Sequence, residues 1–288
     1  MKPAAFSYHR AHDVPDAIGL LSEFADAGED PKLIAGGQSL VPMMNFRLAR
    51  PTALIDLGTL RRDPGMRSIR RDGAELVIGG LATHREVELA RCLGPEFEVV
   101  SQAMRWVGHL PIRSRGTVAG SIVHGDATAE WCLLALLLDA VIVAEGPGGR
   151  RQIPAGEMFH GYYATAVESD EVVTQVRFTR GASGAALTEF ARRHGDFATV
   201  DAAVSLDADG NRVVLGGVAP APIRVPEAEA VLAGGPAGPE LFAECGAAAA
   251  EAIDPPEDAA GSAAYRRRLA RTLITEALQQ AWEKGGRR

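Results

Sequence analysis

Residues 33–40 read Leu33, Ile34, Ala35, Gly36, Gly37, Gln38, Ser39, Leu40. A short apolar run breaks at two glycines and then resumes as an apolar stretch with Pro42 in its first turn. This order predicts a strand, a tight turn and a helix start. Gly36 and Gly37 admit positive φ and let another group come close to the backbone. Ser39 is expected at the N-cap, its hydroxyl accepting from a first-turn amide, and Pro42 stands where a missing N–H costs little. Such a turn offers a row of free amides at the positive end of a helix, which suits a phosphate or pyrophosphate. The same residues also read as a plain strand–helix turn.

Upstream, Val14, Ala17, Ile18, Leu21 and Phe24 fall at helical spacing, so residues 14–27 are expected as a helix that Gly28 stops. Residues 32–35 form the strand into the turn, 40–48 a helix closed by Pro51, and 53–57 the next strand. This is a βαβ-like unit. A second unit begins near Leu60. Residues 75–78 are a strand ended by Gly79 and Gly80, and Thr83 caps the next helix with Glu86 at the capping-box position. Residues 95–107 read as helix, 109–125 as irregular, 128–139 as helix, and 140–144 and 171–178 as strands. Residues 131–138 are most simply buried core. From about Arg180, residues 186–193, 198–207 and 211–219 read as strands, with a hairpin turn over 207–211. The remainder is helical, with Pro255 and Pro256 between two helices and the last running over 262–282. The chain is α+β: two α/β subdomains, 1–58 and 59–179, and a C-terminal α+β subdomain, 180–288.

The 288 residues carry 37 acidic and 30 basic side chains, a formal charge of −7. That balance, without a basic stripe, argues against nucleic acid as partner. Cys92, Cys132 and Cys245 lie far apart with no Cys-x-x-Cys pair, so a zinc or iron–sulfur site held by this chain alone is not expected. The sparse count fits a reducing compartment. With no apolar h-region at the N-terminus and no apolar run of spanning length, a cytoplasmic protein without a membrane span is expected.

A second glycine turn reads Arg113-Ser-Arg-Gly116-Thr117-Val-Ala119-Gly120-Ser121, followed by Ile-Val-His-Gly-Asp-Ala-Thr-Ala-Glu130. Glycines again sit beside hydroxyls, and two such turns can hold one diphosphate between them. Neither is a Walker A loop nor a G-x-G-x-x-G site.

Together these stretches closely resemble the FAD-binding medium subunit of the molybdenum hydroxylases, the group of xanthine dehydrogenase, aerobic carbon monoxide dehydrogenase and quinoline oxidoreductase. The first turn matches that family's Ala-Gly-Gly-His/Gln-Ser-Leu, and the second its Arg-Gly-Thr-Ile/Leu-Gly-Gly-Ser/Asn followed by Ala-His-Ala-Asp-Pro-Ala-Ala-Glu. The likeness continues through Gly80-Leu-Ala-Thr-His84, through residues 191–198, and into Tyr265 and Arg266. It implies two α/β subdomains gripping FAD, in the two-domain fold shared with vanillyl-alcohol oxidase, plus a C-terminal three-stranded antiparallel sheet with helices. It implies non-covalent FAD, bound by residues 33–40 and by Gly116, Thr117, Ala119, Gly120 and Ser121. Ser39, Thr117 and Ser121 supply hydroxyls, Glu130 bonds to the FAD, and Val107 and the backbone near Val172 and Val173 line the pocket. Phe197 lies near the isoalloxazine. Thr83 and His84 are further candidates, with a structural cap or core histidine as the competing reading. Arg113 and Arg115 are either solvated or face the diphosphate, and Asp126 and Glu130 also read as ordinary acids at a helix N-terminus. In this resemblance the chain passes electrons from two-iron two-sulfur clusters of a small subunit through FAD to an external acceptor, while a large subunit holds the molybdenum cofactor. The partner is expected to meet the chain near His84 and Phe197. Three positions depart from the family. Ala119 replaces a glycine and adds a methyl group where the family's backbone comes close to the ligand, and Pro111 and Thr128 replace a Gln and a small residue. A stand-alone flavin oxidase and a flavin-free assembly subunit are the alternatives.

Overall fold

In the computed structural model, which describes residues 2–207 and 210–285, the chain opens with three parallel strands. These are β1 (Ser7–Arg10), β2 (Pro31–Ile34) and β3 (Ala53–Asp56), with β3 in the middle. Parallel neighbours need crossover connections, here α1 (Val14–Asp26) and α2 (Leu40–Asn45). Asp13 caps α1 by accepting from the Asp16 amide at 2.8 Å. Ala17 and Leu21 of α1 pack with Ile55 in a small core that also takes in Leu60, Met66, Leu81 and Val172.

Two expectations fail here. Ser39 makes no capping bond, because its backbone is already helical (φ −100°, ψ −48°) rather than extended, so its hydroxyl does not lie over the first-turn amides. The helix expected over 40–48 stops at Asn45. Arg47 turns left-handed at φ +58°, and the Leu48 amide folds back to the Met43 carbonyl.

The second unit is an antiparallel sheet of order β4-β5-β10-β6-β7. Its strands are β4 (Ile69–Asp72), β5 (Glu75–Gly79), β6 (Ala140–Gly146), β7 (Gly149–Pro154) and β10 (Val172–Phe178), and a small hairpin, β8 (Phe159–Gly161) with β9 (Ala164–Thr165), precedes the last. Short helices accompany it: α3 (Pro64–Arg67), α4 (His84–Glu88), α5 (Glu98–Ala103), α6 (Leu110–Arg113), α7 (Val118–His124) and α8 (Glu130–Leu137). The stretch 109–125 is therefore largely helical, not irregular. Thr117 caps α7 by accepting from the Gly120 amide, and Gly125 ends it in the left-handed region at φ +66°. Helix over 95–107 is limited to residues 95–103. The helix expected over 128–139 is α8, and every residue from Trp131 to Leu137 is buried. β4, β7, β8 and β9 carry no apolar run of their own.

The C-terminal unit is an antiparallel sheet of β11 (Ala185–Phe190), β12 (Val200–Ser205), β13 (Arg212–Gly216) and β14 (Ile223–Arg224), in sequence order. Three strands are the expected ones. The fourth is an edge of two residues, too short to leave a pattern. The hairpin turn expected over 207–211 lies partly outside the described residues. One face packs on α11 (Ala263–Gly285) and α9 (Pro226–Ala233), with α10 (Pro239–Ala252) against both; Pro255 and Pro256 fall between the last two helices. The other face packs on α8, so Leu187, Ala203 and Val214 join the core of the second unit. Among the described residues no helix is long and apolar enough to cross a membrane.

Glu86 ties α4 to the segment 58–67, whose Leu60 and Met66 lie in the N-terminal core. It completes a capping box with Thr83, accepts from one Arg61 nitrogen at both carboxylate oxygens, at 3.1 and 3.2 Å, and pairs with Arg67. Arg61 also donates to the Leu81 carbonyl at 2.5 Å. Burial alone raises the Glu86 carboxyl, but the Thr83 amide and hydroxyl and the two arginines outweigh it and hold it at about 2. Glu86→Ala is expected to cost about 1–2 kcal/mol in denaturant unfolding at pH 7, mostly the lost cap, since both guanidinium groups reach solvent. A carboxyl held below its unfolded value of 4.5 stabilises fully above that value. The gap between wild type and variant should therefore close as the pH falls from about 4.5 towards 2.

Candidate cofactor-binding cleft

The two glycine turns meet backbone to backbone. A Cβ on Gly36 would lie 2.2 Å from the Arg115 carbonyl oxygen and 2.8 Å from the Gly116 Cα. Only glycine fits at Gly36. Gly116 is held in turn against His84, whose Nε2 would be 2.7 Å from any Cβ there. Behind them Thr83 and Thr117 form an antiparallel bridge, through His84 N–H to the Gly116 carbonyl at 3.1 Å and Val118 N–H to the Ala82 carbonyl at 3.0 Å. Two threonine caps thus stand side by side, and α4 and α7 start from one point.

A cleft of about 560 Å³ opens over this junction, within the range of small-molecule and cofactor sites. The amides of Gly36, Gly37, Gln38, Ser39 and Leu40, and those of Thr117 and Ala119, make no hydrogen bond to any described residue. Gly37 sits at φ +70°, and the Gln38 side chain donates back to the Gly36 carbonyl at 3.0 Å, fixing the turn. A row of unused donors, half-buried in the first turn and buried in the second, beside hydroxyls that can still donate, is what an anionic diphosphate needs, so the residues present fit such a group.

Residues 33–40 line the cleft, as do His84, Val107, Gly116, Thr117, Ala119, Gly120, Ser121, Glu130, Val173 and Phe197. Thr83 does not. Its hydroxyl accepts from the Glu86 amide and donates to the Glu86 carboxylate, so the cap consumes it. Val172 is buried in the N-terminal core, and its neighbour Val173 faces the cleft. Ala119 is part of the main core, packed within α7, so its methyl group has a place in the interior that does not depend on the ligand. Arg113 does not face the cleft: it bonds to Glu88 at 3.2 Å and to the carbonyls of Val107 and Gly108. Arg115 is exposed and contributes its carbonyl to the junction.

His84 is 5% exposed, on the floor of the cleft and not on an outer surface. The Trp131 indole N–H donates to its Nδ1 at 2.9 Å, which leaves the proton on Nε2. Burial, with the Arg113 charge, lowers its pKa to about 4, so the ring is neutral at pH 7. Phe197, in contrast, is 71% exposed at the mouth. Glu130 heads α8 in the wall, and burial pushes its carboxyl up to about 7. Asp126 accepts from the Thr128 amide and hydroxyl at 2.8 Å and from Tyr163 at 3.3 Å. Tyr163, Lys32 and Met43 also line the cleft and were not expected there. Tyr163 reaches it from the β8–β9 turn, at φ +53°, and no local sequence signal connects that hairpin to the glycine turns.

Comparison with known proteins agrees along the chain. Residues 4–179 match the family model described as FAD binding domain in molybdopterin dehydrogenase, and residues 185–281 that described as CO dehydrogenase flavoprotein C-terminal domain. The chain is 39% identical to the 6-hydroxypseudooxynicotine dehydrogenase complex subunit alpha of Paenarthrobacter nicotinovorans, over 98% of this chain and 96% of that one. It is 34% identical to the carbon monoxide dehydrogenase medium chain of Hydrogenophaga pseudoflava, over 99% of each. A solved carbon monoxide dehydrogenase from that organism, lacking the Mo-pyranopterin moiety of the molybdenum cofactor, superposes with a TM-score of 0.91 over 99% of both chains. Quinoline 2-oxidoreductase from Pseudomonas putida 86 gives 0.91 at 30% identity, over 98% of this chain and 99% of that one.

The contact at Gly36 yields a direct test. Gly36→Ala should weaken FAD binding by about tenfold or more, roughly 1.4 kcal/mol, because its methyl group must push the two turns apart. Gly19→Ala, in α1 with nothing within 4 Å of the new carbon, should leave binding unchanged. Equal affinities for the two variants in a fluorescence titration would contradict this placing of the site.

Proposed function

Because the chain belongs to the family of FAD-binding medium subunits of molybdenum hydroxylases, we propose that the cleft over the Gly36–Gly116 junction holds FAD without a covalent bond and that the chain passes its electrons on to an external acceptor. The observation that carries this reading is the row of unused amides on both turns, which converge on one cleft beside the hydroxyls of Ser39, Thr117 and Ser121. Bound FAD supplies two-electron and one-electron redox chemistry. The chain's own work is binding, orientation and electrostatics. The amides of residues 36–40 and of Thr117 and Ala119 take the diphosphate, Glu130 and Val173 line the rest of the cofactor's path, and His84 stands neutral with its Nε2 proton as a donor.

Phe197 is placed against the isoalloxazine edge and marks the side that faces a partner. In this reading the large molybdenum subunit and a small subunit with two-iron two-sulfur clusters complete the enzyme. Cys92, Cys132 and Cys245 are separate thiols, two of them buried, so the clusters are assigned to the partner. Three free thiols also favour the cytoplasm. The functional division into 1–58, 59–179 and 180–288 puts the cofactor between the first two parts.

The full chain produced alone should bind FAD that acid precipitation releases, and should show no substrate-dependent bleaching of the flavin absorbance. Adding the two partner subunits should restore bleaching. Flavin that stays with the acid pellet would contradict the non-covalent assignment. Turnover of substrate by the lone chain at the rate of the complex would contradict the electron-transfer role.

A further inference from the structure

The face of the C-terminal sheet that meets α8 carries carboxyl groups where a core is expected. Glu189 of β11 stands directly opposite Asp201 of β12, and Asp201 opposite Gly216 of β13. Cross-strand partners share a face. On this face Leu187, Ala203 and Val214 pack in the main core with Leu133 and Leu134 of α8. Asp201 is 0% exposed, and neither of its carboxyl oxygens has a hydrogen-bond partner.

Gly216 makes room for it. A Cβ there would lie 2.1 Å from Asp201 Oδ1, 2.4 Å from the Ala127 carbonyl oxygen and 2.9 Å from Leu133 Cδ1. The segment that leads into α8 is thus pressed onto the Asp201 carboxyl, and that segment carries Asp126 and Glu130 into the cleft wall. Asp201 and Glu189 do not line the cleft. They lie behind it.

The charged groups around this site are accounted for. On the same sheet face, Arg212 is bound to Asp139 and to the Leu136 and Leu137 carbonyls at the far end of α8. From α11, Arg266 is bound to the Thr199 and Gly217 carbonyls at 2.5 and 2.8 Å and to Asp258. In α8, burial and the nearby acids push the Cys132 thiol well up. His124, held down by burial, and Lys32 face the cleft. Burial pushes Asp201 well above the carboxylate range, Glu189 to about 8 and Glu130 to about 7; repulsion from Glu189, Glu130 and Asp126 adds to Asp201, from Glu130 to Glu189, and from Asp126 to Glu130.

We propose that Asp201, Glu189 and Glu130 form one proton-holding group behind the cleft wall, through which binding of the anionic cofactor is coupled to proton uptake from solvent. This rests on the cleft taking FAD. Acids held out of bulk solvent, Asp201 fully and Glu189 and Glu130 in part, titrate as a unit when they repel one another, and the anionic cofactor brings negative charge into the cleft that Glu130 lines. The group answers by forming O–H bonds with protons from the buffer, and no other bond changes. The sign follows from linkage. A ligand that favours the protonated form binds more weakly as the pH rises through the titration of the group, by up to about tenfold per pH unit for each whole proton taken up. Asp201 touches no ligand and acts through Glu130.

The test is calorimetric titration of the full chain, stripped of flavin, with FAD at pH 7.5 in buffers of different ionisation enthalpy, together with fluorescence affinities from pH 6 to 9. Wild type should take up a measurable fraction of a proton, and its affinity should fall with pH. Asp201→Asn keeps the shape and removes one acid, so uptake should drop to less than about half and the pH profile should flatten. Glu189→Gln should do the same from outside the cleft, a change in proton count that a merely structural role would not produce, and it carries the test if the Asp201 variant does not fold. Wild-type binding with no proton uptake and a flat profile would overturn the proposal, as would wild-type uptake in both variants. Absence of FAD binding altogether would instead overturn the functional reading, and this inference with it.

Discussion

The arrangement of the N-terminal two units depends on one contact, the Gly36 backbone against the Arg115 carbonyl. Two turns far apart in sequence must touch without a side chain between them. Each then keeps its amides pointing outward into the same space, because neither finds an acceptor in the other. The paired caps of Thr83 and Thr117 hold the second turn from behind, and the Glu86 cluster fixes to the same point, through Arg61 and Arg67, the segment 58–67 that packs in the N-terminal core. The donors that await an anion are what these constraints leave over: amides that the fold does not satisfy internally, facing the cleft.

Much of this was legible in the sequence, for identifiable reasons. The glycine turns, the Thr83 cap with Glu86, and the amphipathic α1 are all local signals, and local signals survive in one dimension. The cap assigned to Ser39 failed because a helix can begin its turn one residue early, leaving the hydroxyl free. α7 was hidden by its composition. Ala119 and Gly120 beside Ser114 and Arg115 look like loop, yet Thr117 had supplied the cap signal all along. β4 and β7 are polar edge strands, and β14 has two residues, so none shows a period. Tyr163 and Lys32 reach the cleft only through tertiary placement, which no spacing encodes.

Asp201 is the sharpest case. In β12, Val200, Ala202 and Val204 alternate with Asp201, Ala203 and Ser205. Period-two reading assigns the second set to solvent. The structure buries both sets, because α11 covers one face of β12 and α8 the other. Ser205 is buried without a side-chain partner as Asp201 is. A sheet that keeps polar groups on a covered face departs from what packing alone would select, and the departure lies directly behind the cofactor cleft.

That position changes what the C-terminal unit does in the molecule. α8 touches β6 of the central sheet and β12 and β13 of the C-terminal sheet, and it is apolar all round because it is covered all round. Its first residue, Glu130, is in the cleft wall, and its second, Trp131, holds the Nδ1 of His84. Both polar groups that α8 offers to the cleft are therefore set by what lies behind the helix. Trp131 is fixed by packing against Phe178, and Glu130 is carried by the segment whose Ala127 carbonyl is pressed, with Asp201, against Gly216. Were the C-terminal sheet only a docking platform, Gly216 would have no reason to leave room for a carboxyl at the root of that helix. A larger residue there would strike both Asp201 and the Ala127 carbonyl, and would separate the sheet from the segment that shapes the cleft. The cleft is built mainly by the first two units, with Phe197 of the third at its mouth, and its proton balance is set by the third.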